Sequence, residues 1–145
     1  MRKKSLQIAL LIGIGLAAIQ STCPACSCLS GYHSIEEQIA GTNLIFIGRV
    51  LSMNLMDDSA VYTITFEVYR TWKGQRTSPI ILRSVIYSSM CGYIFNTGWV
   101  YLVFSDGANA SFCNPTYEWD KIPDYISSKL GPPDWNNPNI RPLPH

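Results

Sequence analysis

Histidine is nearly absent from this chain: of 145 residues only His33 and His145 carry an imidazole. That scarcity argues against a resident His-based metal site and against a histidine-activated nucleophile, and no other nucleophile–base constellation stands out. Charge is sparse too. Charged residues make up 14%, with 11 basic against 10 acidic side chains, so there is no basic excess to hold a nucleic-acid backbone. The longest apolar run, Leu6 to Ile19, is interrupted by Gln7 and falls short of the roughly 20 residues a membrane-spanning helix needs. Asp57-Asp58 reads as a solvated turn rather than a catalytic carboxylate pair. Neither an enzyme activity nor a cofactor of its own is expected.

What the first 25 residues do carry is the order of parts of a secretory signal. Arg2-Lys3-Lys4 is the positive start, Leu6 to Ile19 the apolar stretch, and Gln20-Ser21-Thr22 a polar segment before Cys23-Pro24-Ala25. Cleavage between Ala25 and Cys26 predicts a secreted protein, extracellular or periplasmic, with no membrane contact after cleavage. A lipoprotein reading is the weaker one, because the residues before Cys23 and Cys26 lack the usual leucine. Cysteine parity agrees with the cut. Five cysteines stand at 23, 26, 28, 91 and 113, and losing Cys23 leaves four, enough for two bridges in an oxidising compartment.

Beyond Cys28 the pattern is one short helix followed by strands. Ser34-Ile35-Glu36-Glu37 fits a capping box, Ile35 and Ile39 face one way, and Gly41 ends the turn. Strands are predicted over Asn43–Met53, Val61–Trp72 with strict alternation, Pro79–Tyr87, Trp99–Phe104 and Ala110–Cys113. A second helix is predicted over Pro123–Leu130, with proline in its first turn and Gly131 at its end. Trp72, Trp99 and Trp119 are expected as core or sheet-edge residues. The organisation predicted is a signal over 1–25, one domain over 26–130 and a Pro-rich, disordered tail over 131–145. The fold class is all-β, a five-stranded Greek-key OB-fold barrel with short flanking helices.

Cys26 and Cys28 stand too close to bond each other without strain, so each should reach a distant partner. Pairing Cys26 with Cys91 and Cys28 with Cys113 closes loops of roughly 65 and 85 residues, worth about 4 kcal/mol each in the chain-entropy model. The crossed pairing, Cys26 with Cys113 and Cys28 with Cys91, is the alternative the sequence leaves open.

Four stretches, in order, give the chain a family likeness: Cys26-Ser27-Cys28 directly after the signal; Asn43-Leu44-Ile45-Phe46-Ile47-Gly48-Arg49-Val50; Tyr69-Arg70-Thr71-Trp72-Lys73-Gly74; and Ser89-Met90-Cys91-Gly92-Tyr93 with the later Ala110-Ser111-Phe112-Cys113. The set resembles the inhibitory N-terminal domain of the tissue inhibitors of metalloproteinases, in the wider netrin-like family, over residues 26 to about 130. With four cysteines and no cysteine-rich second domain, it is most similar to single-domain, bacterial-type members.

The resemblance implies a partner, a zinc metalloprotease, and a mode of action. The α-amino group and carbonyl of Cys26 would chelate the protease's catalytic zinc, the only metal involved, and displace its water. Ser27 would point into the neighbouring specificity pocket, Cys28 would follow it along the protease cleft, and Ser88, Ser89, Met90, Cys91 and Gly92 would form the second edge of the wedge. The competing expectation is a netrin-like binding or structural module that keeps the fold and inhibits nothing.

Overall fold

The computed structural model describes residues 34–56, 60–85, 91–111 and 113–139. Helix α1 spans Ile35–Gly41, and it starts where the capping box predicts: the Ser34 hydroxyl accepts a hydrogen bond from the Glu37 amide at 3.2 Å. Strands follow at β1 (Leu44–Leu55), β2 (Val61–Lys73), β3 (Ile80–Val85), β4 (Val100–Ser105) and β5 (Thr116–Glu118). A 3-10 turn at Trp119–Lys121 leads to helix α2 (Asp124–Leu130), and a last strand, β6, covers Trp135–Asn136. The fold is all-β with short helices outside it.

The sheet is antiparallel, in the order β3-β2-β1-β4-β5, with β6 on β2 beyond the end of β3. β1 is its centre. It pairs with β2 from Ile45 opposite Lys73 to Leu55 opposite Tyr62, and with β4 from Leu44 opposite Ser105 to Arg49 opposite Val100. The β1–β2 register shifts at three points, at Ile45/Phe46, Ile47/Gly48 and Val50/Ser52. Irregularities of this kind bend and twist a strand pair.

The sheet has two faces, here called inner and outer, and alternation along β1 fills both. Leu44, Phe46 and Val50 join Ile64, Phe66, Val68, Leu82, Phe95, Tyr101 and Val103 in an inner core. Ile45 and Ile47 join Leu102, Phe104, Tyr69 and Ile126 of α2 in an outer one. The inner core is knitted by edge-to-face aromatics, with Phe46–Phe66 and Phe66–Phe95 centroids both 5.2 Å apart and Phe95–Tyr101 at 5.1 Å. The outer core exists because α1 and α2 cover it: Ile35, Ile39, Ile122 and Leu130 all pack there.

Trp72-Lys73-Gly74, at the end of β2, ties both helices to the sheet. The Trp72 indole N–H donates to the Gly131 carbonyl at the end of α2, 2.9 Å away. The Lys73 ammonium donates to the Ile39 and Ala40 carbonyls of α1's last turn, at 2.8 and 3.0 Å. A cation there satisfies orphan carbonyls and opposes the negative end of the helix dipole. Gly74 turns the chain at φ +88, where a side chain would meet the Asn43 carbonyl at 2.8 Å. Lys73→Met keeps the apolar stem and removes the head. It is expected to cost about 1–2 kcal/mol in urea unfolding, with loss of α1 protection in hydrogen exchange.

Two sequence expectations need correction. The fifth strand lies at Thr116–Glu118 rather than Ala110–Cys113; of the latter segment, Ser111 makes only an isolated bridge. The residues after 130 are not wholly a loose tail. Trp135 and Asn136 pair with Thr71 and Arg70, and the Asn137 side chain donates to the Val68 carbonyl at 2.8 Å. Among the described residues the sheet thus has six strands, and its ladders do not run round into a closed barrel. No helix among the described residues is long and apolar enough to cross a membrane.

Candidate functional site

Of the predicted site residues, Cys26, Ser27, Cys28, Ser88, Ser89 and Met90 lie outside the described residues; Cys91, Gly92 and Cys113 lie within them. These three gather at one corner of the sheet, beyond the end of β3. Gly92 forms an antiparallel bridge with Ser111, so the segments carrying Cys91 and Cys113 run side by side. Both cysteines are disulfide-bonded.

The corner is tightly built. Cys91 has left-handed backbone, φ 63, a conformation that costs a residue with a side chain roughly 1–2 kcal/mol. Gly92 follows, buried, and leaves no room for more than hydrogen: a Cβ there would lie 1.9 Å from the Val85 carbonyl oxygen. The buried Ser84 hydroxyl then fixes the next residue, donating to the Tyr93 carbonyl at 2.9 Å and accepting from its amide at 3.0 Å. On the facing segment, Ser111 accepts the Cys113 amide on its side chain and the Asn114 amide on its carbonyl, each at 3.1 Å. The Asn114 side chain donates to the Asp106 carboxylate at the same distance.

The link from β3 to the segment leaving β4 is also a pair of backbone bonds. The Arg83 amide donates to the Ala108 carbonyl at 2.8 Å, and the Ala110 amide to the Arg83 carbonyl at 2.7 Å. Beside this link lies an open groove of ≈ 450 Å³, bordered by Val61, Val85, Cys91, Ala110 and Ser111 among others. It lies beside the disulfide-bonded Cys91 and has both polar and apolar lining. Among the described residues no group of three His, Cys, Asp or Glu side chains could hold a metal ion. Of the residues that hold the corner together, Ser84 and Asn114 are not marked by the sequence, and Ser111 stands out only as a member of the Ala110–Cys113 stretch. A serine facing another strand's backbone leaves no local pattern.

Burial pushes the phenols of Tyr69, Tyr93 and Tyr117 above the usual tyrosine value of 10.0. Their folded forms therefore hold the phenolic proton more tightly than the unfolded chain does. The stability linked to that difference is fully present below pH 10 and is lost as pH rises through the higher folded values. Unfolding midpoints are expected to stay level with respect to these groups up to about pH 10 and to fall above it. Tyrosinate absorbance should rise with a delayed component that merges with the main one in denaturant.

No protein-family model matches this chain, and no curated protein matches it significantly.

Proposed function

We propose that the protein is a secreted metalloprotease inhibitor, built on an OB-type Greek-key barrel, whose mature N-terminus at Cys26 chelates the catalytic zinc of its target. One observation carries this reading. The Gly92–Ser111 bridge sets Cys91 and Cys113, both disulfide-bonded, on adjacent segments at one corner. If their partners are Cys28 and Cys26, in either pairing, an N-terminal Cys-x-Cys is stapled there beside Cys91 and Gly92. The barrel component is supported by the two Arg83 backbone bonds, which join β3 to the far side of the sheet.

The chemistry of an N-terminal cysteine suffices for the task. An α-amino group has an ordinary pKa of about 7.7–8.0, so an appreciable neutral fraction exists at physiological pH and can donate its lone pair. With the carbonyl oxygen of the same residue it closes a five-membered chelate on a zinc whose fourth position normally holds water. Displacing that water removes the nucleophile of peptide hydrolysis. The inhibitor needs no metal of its own.

The test is the exported protein itself. Its intact mass should correspond to residues 26–145 with two disulfides and no free thiol, and it should inhibit members of a broad zinc-metalloprotease panel while sparing serine proteases. A mature protein with this N-terminus that inhibits none of the panel is a non-inhibitory netrin-like module instead.

A further inference from the structure

On the outer face of the sheet, away from the cysteine corner, a partly enclosed cavity of ≈ 180 Å³ lies between the strands and α2. Ile47 and Leu102 contribute from the sheet, Leu130 from α2, and Trp72 and Trp119 add two indoles. The Trp72 N–H is already committed to the Gly131 carbonyl, so this side chain offers the cavity only apolar surface. A dry apolar cavity of about 150 Å³ is enough to take up a benzene ring. This one accommodates a single ring or a branched aliphatic group, and excludes a nucleotide or a disaccharide.

One charged residue lines it, Arg70. Its place on β2, paired with Ile47 on one side and Asn136 on the other, fixes its backbone in the sheet. The ion pairs among the described residues lie elsewhere: Arg76 with Asp134, Lys121 with Glu118, and Lys129 with Glu36. Among the described residues Arg70 has no such partner. The nearby carboxylates of Glu118 and Asp120 border a separate cleft with Trp99. An apolar slot with one unpaired guanidinium is complementary to an apolar body with one anionic head, which arginine can grip with two parallel hydrogen bonds.

We propose that the cavity binds small monocarboxylates with an aromatic or branched aliphatic body, the body between Trp72, Trp119 and Leu130 and the carboxylate on Arg70. The same chemistry is found in a free organic acid and in the C-terminal residue of a peptide ending in Phe or Leu.

Phenylacetate and its neutral isostere phenylacetamide are the probes, followed by tryptophan fluorescence and saturation-transfer NMR on the mature protein. Phenylacetate is expected to bind with a dissociation constant of about a millimolar or tighter, within the affinity reachable per atom for so small a ligand. The amide should bind about tenfold more weakly, for want of the charge-assisted bonds. Arg70→Gln should abolish that preference without altering the amide's affinity, and Arg70→Lys should retain part of it. A Phe-terminated pentapeptide tested as free acid and as amide separates the two ligand sources: acid-selective binding of the pentapeptide assigns the cavity to peptide C-termini, and binding of phenylacetate alone assigns it to free acids. Equal binding of acid and amide, no binding of either at ten times the expected constant, or an undiminished preference in a folded Arg70→Gln protein would overturn the proposal. None of these outcomes depends on protease inhibition.

Discussion

Gly92→Ala is expected to destabilise the protein by about 3 kcal/mol or more, at the upper end of the penalties for overpacking. The reason is the identity of what a methyl group would strike. At 1.9 Å it would meet the Val85 carbonyl oxygen, with the carbonyl carbon and the Val85 side chain both at 2.8 Å. A flexible side chain could swing aside, but a backbone carbonyl at the end of β3 can move only if the strand moves with it. Separating Gly92 from Val85 also strains the Gly92–Ser111 bridge and the two hydrogen bonds that Ser84 makes to Tyr93. Gly98→Ala is the control. Its glycine has φ +85, yet a Cβ there meets nothing within 4 Å, so it should cost only the left-handed backbone penalty of roughly 1–2 kcal/mol. Urea unfolding of the two variants decides the matter. If Gly92→Ala costs no more than Gly98→Ala, close approach is not what demands glycine at 92.

How much of this corner the sequence discloses depends on how local each feature is. Ser34 and Glu37 stand three apart, and the cap they predict forms; the strict alternation of Val61 to Trp72 likewise marks β2, whose Ile64, Phe66 and Val68 are fully buried. Gly131 ends α2 with φ 65, as a glycine after Leu130 suggests. What fails is pairing decided at a distance. Thr116–Glu118 has only three residues, all half-buried, so it shows no period by which to recognise a strand. Trp135–Asn136 is a strand only because the edge of β2 beyond β3 is unoccupied and Asn137 can bond Val68 and Tyr69, nearly seventy residues earlier. Its surrounding prolines point, locally, the other way. Gly92 reads as one glycine after a cysteine, and nothing near it in the chain announces that Val85 will lie against it.

One alanine placed before Cys26 is expected to abolish inhibition of any zinc protease that the mature protein inhibits. The loss should be at least about a thousandfold, near 4 kcal/mol at 1.4 kcal/mol per decade. The insertion moves the free amine off the metal and converts the nitrogen of Cys26 into an amide, whose lone pair is delocalised into the carbonyl and is a poor zinc donor. The fold should be untouched, because the added residue lies outside every disulfide-closed loop; thermal unfolding midpoints of the two forms should coincide. Acetylating the N-terminus should act in the same way as the alanine. Protonation supplies a third route to the same end: below about pH 7 the amine is mostly ammonium, so inhibition by the native form should weaken with falling pH. Ser27→Gly should behave differently, changing affinity by an amount that varies between proteases, since it alters a pocket contact and leaves the chelate intact. An extended protein that inhibits as strongly as the native one would exclude chelation by Cys26. Inhibition that survives acetylation but disappears on Ser27→Gly would move the interaction from the metal to the specificity pocket.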